Sequence, residues 1–174
     1  MNNTVSRRRA LAVLTAVFIS PIGRATHAAQ LSQPAEQPIL TVWGKIGVMN
    51  RDDSAQFDRA MLEALGTVSF STQTPWYKEP VTFEGVPLAR LLGILEVHGD
   101  TLVAIALNDY TTEIPITDAT KYEPILALKR NGEYMPVRDK GPIFIVYNYD
   151  SNSELRSQKF YSRSAWQVTR IEIK

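Results

Sequence analysis

The 174-residue chain contains no cysteine. That absence excludes disulfides, zinc fingers, iron–sulfur clusters, a thiolate nucleophile and a lipid anchor on a processed cysteine. Histidine is scarce: His27 and His98 leave little material for a histidine-built metal site. His98 stands between Val97 and Gly99 at an expected helix end, where a histidine caps carbonyls or faces water rather than serving a Ser–His–Asp triad. The nine glycines nowhere form G-x-G-x-x-G or G-x-x-x-x-G-K, so the usual dinucleotide and ATP fingerprints are missing. No G-x-S-x-G elbow occurs either. Acidic pairs such as Asp52 and Asp53 sit at an expected helix start, and no ligand spacing supports a Ca²⁺ or Mg²⁺ site. What remains is 44% hydrophobic and 21% charged, which excludes a disordered chain, a collagen or a coiled coil and fits one domain.

Residues 1–29 read as an export signal. Arg7, Arg8 and Arg9 form a positive start, residues 10–22 are apolar, and Ala25, Thr26, Ala28 and Ala29 supply small residues for cleavage. The apolar stretch is too short for a membrane span. Ser6-Arg7-Arg8-Arg9-Ala10-Leu11 resembles a twin-arginine signal, with Ala10 where a Phe is usual. Both general secretion and twin-arginine export therefore stay open, and either places the mature protein in the periplasm without membrane insertion. Removing residues 1–28 removes four arginines and leaves 15 basic against 18 acidic side chains. Residues 29–128 hold 6 basic and 13 acidic groups, whereas residues 129–174 hold 9 and 5. A net-acidic protein is a poor nucleic-acid partner, but its basic last quarter could hold a small anion.

Along the mature chain, residues 30–38 read as a flexible leader and residues 39–174 as the domain. A first strand is expected over 39–49. Asp53 followed by Gln56 has capping-box spacing, and Phe57, Met61, Leu62 and Leu65 share a helical face, so a helix is expected over 54–65. Strands follow at Val68–Phe70 and 81–85, then a helix opened by Pro87 and carrying Leu88, Leu91, Leu92 and Leu95. Strands are expected over 101–107 and 111–116. Asn131-Gly132 between two apolar runs signals a hairpin, because both residues tolerate positive φ. Residues 143–147 are wholly apolar and read as a central strand. Residues 148–157 read as a polar loop, and 166–173 as the last strand. The fold class is α+β, mostly β with short helices packed on the sheets. Trp43, Phe70, Leu91, Leu92, Ile105, Phe144, Ile145 and Val146 are the expected core.

Polar and aromatic groups concentrate at a few strand ends. These are Thr72-Gln73-Thr74-Pro75-Trp76, Asn108-Asp109-Tyr110, Arg138-Asp139-Lys140-Gly141-Pro142, and Phe160-Tyr161-Ser162-Arg163-Ser164-Ala165-Trp166. Hydroxyls, guanidinium groups and flat rings together suit a planar, polar, anionic ligand.

The order of segments carries a resemblance. Phe83-Glu84-Gly85-Val86-Pro87-Leu88 precedes Leu91-Leu92, then come Asn108-Asp109-Tyr110, Ile125-Leu126-Ala127-Leu128, Asn131-Gly132, Arg138-Asp139-Lys140-Gly141-Pro142 and Arg163-Ser164-Ala165-Trp166. Over residues 39–173 this resembles the molybdopterin-binding domain of the sulfite oxidase family, in particular its small periplasmic branch. The resemblance implies that fold and a pocket for molybdopterin. Catalytic members place a cysteine on molybdenum in the loop that here reads Thr72-Gln73-Thr74, so sulfite-type oxidation is not implied. A basic residue that larger members carry before the late tryptophan is Ala165 here. The larger members' haem domain also has no counterpart, so haem is not expected, and without cysteine neither iron–sulfur nor zinc is expected.

Composition and resemblance together nominate nine ligand-binding residues: Thr72, Thr74, Trp76, Asp109, Tyr110, Arg138, Tyr161, Arg163 and Ser164. Arg163 is the expected anchor for negative charge, and no residue is assigned a catalytic role or a metal. Three readings stay open. The chain is a binding module that holds a pterin-like or small anionic ligand, or serves a periplasmic sensor or redox partner. It is a molybdenum oxidoreductase with metal ligation that uses no cysteine. Or it is a ligand-free interaction scaffold. N-terminal sequencing of exported protein should find a start within a few residues of Ala29; an intact Met1 in the periplasmic fraction refutes the export reading.

Overall fold

The computed structural model describes residues 31–174. The export signal expected over residues 1–29 lies outside the described residues. Ten strands form two five-stranded sheets, with four short α-helices around them among the described residues. The α+β class expected from sequence is therefore the observed one. Among the described residues, no helix is long and apolar enough to cross a membrane.

The first sheet has the order β2 (Ser54–Phe57), β1 (Leu40–Gly44), β10 (Val168–Ile173), β5 (Thr101–Ala106), β6 (Thr111–Pro115). Its β1–β10 pair is parallel and the rest are antiparallel. The first and last strands of the described residues thus pair at the middle of one sheet. The second sheet is wholly antiparallel, in the order β3 (Val68–Thr72), β4 (Val81–Pro87), β7 (Ile125–Arg130), β8 (Glu133–Tyr134). β9 (Phe144–Val146) pairs with the other end of β7's free side.

Strand β7 organises the interior. Leu126 and Leu128 join the larger core, with Val86 and Ile145 of the same sheet, Ile143 just before β9 (Phe144–Val146), Val42 and Leu102 of the first, and Leu88 and Leu91 of helix α2 (Leu88–Ile94). Ile125 and Ala127 point the other way, into a second core of Phe83, Phe144, Val146, Tyr147 and Phe160. Successive strand residues face opposite sides, so a strand covered on both faces needs an uninterrupted apolar run. The apolar run at 143–147 has this explanation. Its position in the sheet is not central, as expected, but at the ladder's edge, where packing on both faces buries it. Gly85 lets β4 press against β7: a Cβ there would lie 2.1 Å from the Leu126 carbonyl oxygen. The hairpin at Asn131-Gly132 is present, with φ of 50° and 84°.

The helix expected over 54–65 is corrected. Residues 54–57 form β2, pairing Ala55 with Val42 and Phe57 with Leu40. Burial of Ala55 and Phe57 on one side of that ladder outweighs the local cap signal at Asp53. Helix α1 (Arg59–Ala64) starts at Asp58, whose carboxylate accepts from the Met61 N–H at 2.8 Å. The same carboxylate accepts from the Ala35 and Glu36 N–H groups, and the Asn50 amide reaches the Ser32 carbonyl. Residues 32–36, read as a flexible leader, are therefore tied to the domain. Hydrogen bonds from the Met61 and Glu36 amides hold the Asp58 carboxyl below the usual carboxylate range.

Two further helices were not expected: α3 (Thr117–Lys121) and α4 (Gln158–Arg163). Of the expected core, Leu91, Leu92, Phe144, Ile145 and Val146 are buried, but Trp43, Phe70 and Ile105 are only half-buried. Leu40 and Val42 take β1's inward positions, which turns Trp43 outward. Phe144 lies at the second core's centre, edge-on to Trp76 at 5.4 Å and Phe83 at 5.6 Å between ring centroids. Phe144→Ala should cost about 3–5 kcal/mol in denaturant titration. A loss below about 1 kcal/mol would show that the ring is not a packing centre.

Candidate functional site

The loop after β3 is held by a carboxylate. The Gln73 N–H donates to Asp150 Oδ2 at 2.7 Å, and Arg156 donates to Asp150 Oδ1 at 2.6 Å. The Gln73 amide and then the Arg156 cation keep the Asp150 carboxyl below the usual carboxylate range. In return, the Asp150 N–H donates to Thr72 Oγ1 at 3.2 Å. Thr72 is fully buried, so its hydroxyl serves this loop-to-loop clamp.

Trp76, carried by that loop, is the hub of an aromatic cluster. It meets Tyr149 and Tyr161 at 6.1 Å and Trp166 at 5.8 Å, all edge-on, besides Phe144. Edge-to-face pairs of this kind contribute beyond their buried area, which fixes the rings relative to one another. The Tyr149 hydroxyl bonds Ser164 Oγ, whose own proton goes to the Phe160 carbonyl. Burial pushes the Tyr149 phenol up, so it remains a neutral donor.

Beside this cluster lies a cavity of about 420 Å³. Three parts of the chain wall it. The β3–β4 loop brings Pro75 and Trp76, and the β5–β6 turn brings Asn108 and Tyr110. Helix α4 and the segment after it bring Gln158, Tyr161, Ser162, Ser164 and Trp166. Gln158, Tyr161 and Ser162 have i, i+3, i+4 spacing, so one helical face looks into the cavity. Trp166 and Tyr110 remain 37% and 51% exposed, which leaves ring surface for a ligand. Not one lining residue carries a formal charge.

Four of the nine nominated residues line the cavity: Trp76, Tyr110, Tyr161 and Ser164. Thr72 and Thr74 are buried beneath it in the loop that positions Trp76, and Thr74 Oγ1 accepts the Trp76 N–H at 3.4 Å. The other three do not enter the lining. Asp109 turns outward to pair with Arg170. Arg138 lies exposed in a 3-10 turn over Val137–Asp139. Arg163, the expected anion anchor, donates to Asp118 Oδ2 at 2.8 Å, and the Tyr147 hydroxyl donates to the same oxygen. Asp118 is only 4% exposed, so a buried carboxylate claims this guanidinium. The pair ties α4 to α3. Desolvation, with Asp118 alongside, pushes the Tyr147 phenol up as well.

Asn108, Gln158 and Ser162 were not nominated. Asn108 and Ser162 stand within the polar and aromatic segments read from the sequence, and for Gln158 the spacing to Tyr161 and Ser162 is the available signal. Lys140 was also passed over. Its ammonium rests 4.1 Å from the centroid of the Trp166 ring, and burial lowers its pKa from the usual lysine value. Among the described residues, no cluster of three or more His, Asp or Glu side chains could hold a metal ion.

A two-sheet α+β domain with a ligand-sized, aromatic-walled cavity at its strand ends defines the class. The family described as "oxidoreductase molybdopterin binding domain" matches residues 53–148, and the chain belongs to it. The resemblance read from the sequence is thereby shown. The matched segment runs from the β1–β2 turn to the end of β9, so α4 and Trp166 lie beyond it. A comparison with curated proteins gives no match.

Replacing Arg163 by Ala should lower stability by about 3 kcal/mol, because Asp118 keeps its burial and loses its cation. Denaturant titration checks this. A loss below about 1 kcal/mol would mean that the pair is not what holds α4.

Proposed function

We propose that this chain is an exported, metal-free binding member of the oxidoreductase molybdopterin-binding family, and that its cavity takes a pterin-like ring. One observation carries the reading: the cavity presents flat rings beside amide and hydroxyl groups, in a volume within the usual range for small-molecule sites. Trp166 and Tyr110 offer surface for stacking. Asn108, Gln158 and Ser162 supply the donors and acceptors that a heterocycle's edge needs.

A metal-ligated molybdopterin does not fit these residues. The chain has no thiol to give molybdenum a thiolate. Thr72, in the loop where catalytic relatives carry their cysteine, is buried and already bonded to the Asp150 N–H. The cavity lining has no cation for a phosphate. What the site retains is the means to grip a ring and hydrogen-bond its edge. Binding without oxidation suits a module that reports to, or works with, another protein in the periplasm.

Titration of the mature protein with hydroxymethylpterin, followed by quenching of tryptophan fluorescence, tests this. Binding in the micromolar range is expected. Trp166→Ala should weaken it about tenfold, the scale of one lost stacking contact. Absence of binding, or binding indifferent to Trp166→Ala, refutes the cavity assignment. Stoichiometric molybdenum in protein purified from its native compartment refutes the metal-free reading.

A further inference from the structure

Four arginines of the chain's last quarter are each already paired with a carboxylate of this chain, while Arg138 stands exposed on its 3-10 turn, outside the cavity lining. Arg163 is held by Asp118 at 2.8 Å. Arg130 is gripped in two-point fashion by Asp139, with contacts of 3.0 and 2.6 Å. Arg156 is held by Asp150 at 2.6 Å. Arg170 pairs with Asp109, the residue between the lining residues Asn108 and Tyr110. The basic last quarter of the chain, which looks like an anion site in the sequence, spends these guanidinium groups on internal ion pairs. The cavity keeps no charged side chain of either sign in its walls.

We infer that the cavity selects uncharged planar heterocycles and discriminates against their phosphorylated forms. This rests on the ring-binding reading above and adds the charge of the ligand to it. The physical reason is desolvation. A phosphate dianion brought to these walls gives up hydration and finds no cation in return, whereas an uncharged ring exchanges water for amides, hydroxyls and ring faces. Asp109, turned out of the lining, keeps Arg170 from serving as that cation. Lys140 is a cation set against the Trp166 ring of the wall. No carboxylate pairs with it among the described residues, and its neighbour Asp139 is taken by Arg130. Its ammonium faces the Trp166 ring instead, and its burial disfavours the charged form.

The test compares hydroxymethylpterin with its phosphate ester, and adenosine with its monophosphate, on the mature protein at low ionic strength. The uncharged member of the pterin pair should bind at least about tenfold tighter, and the adenosine pair, if bound, should show the same order. Asp109→Asn releases Arg170 at an exposed position where folding is not at stake. It should narrow the gap to about threefold or less without changing hydroxymethylpterin affinity. A phosphate ester that binds wild type as tightly as the uncharged pterin overturns the inference. If that binding disappears in Lys140→Met, Lys140 is the anchor that defeats it. A gap unchanged by Asp109→Asn overturns the role of the ion pairs. Failure of both pterins to bind overturns the ring-binding reading itself, which separates that failure from failure of the charge selection.

Discussion

Burial of strand β7 on both faces is the constraint that shapes the rest of the molecule. Leu126 and Leu128 face one core while Ile125 and Ala127 face the other. A one-residue slip would exchange these two sets and disrupt both cores at once, so the register is strongly specified. Gly85 allows β4 to approach on one side, and Phe144, Ile145 and Val146 of β9 complete both cores on the other. The aromatic core built in this way is continuous with the cavity wall: Phe144 packs on Trp76 and Trp166, and the last two line the cavity.

The site thus inherits its rigidity from the fold. Trp76 is held by four rings, and its loop is held from below by the Thr72–Asp150–Gln73 clamp. Helix α4 has only six residues, too short to be stable by propensity alone. Two long-range ties supply what propensity does not: the Arg163–Asp118 pair and the packing of Phe160 against Tyr122 and Tyr147. Arg163, an expected anion anchor, instead ties α4, which walls the cavity, to α3. This trade favours a preorganised cavity over an electrostatic one.

Membership of the molybdopterin-binding family and absence of a thiol set the limits on chemistry. The family relation covers the β-rich centre of the chain, whereas half of the cavity's wall comes from the segment that follows. Much of the cavity's wall is therefore set by residues outside the segment that the family match covers.

Local signals determined much of this protein. The Asn131-Gly132 turn needs no distant partner, because positive φ is a property of those residues. The apolar strands at β7 and β9 and the leucine face of α2 follow from periodicity. The missing cysteine removed thiolate chemistry before any fold was known. Tertiary structure decided the remainder. Residues 54–57 carry a helix-start pattern, yet the ladder with β1 and burial of Phe57 made them a strand. Arg163 looks like an anion anchor until Asp118, 45 residues earlier in the chain, takes its charge. The reason is common to both cases. Propensity and spacing act within a few residues, whereas ion pairing and burial depend on which distant segments the fold brings together.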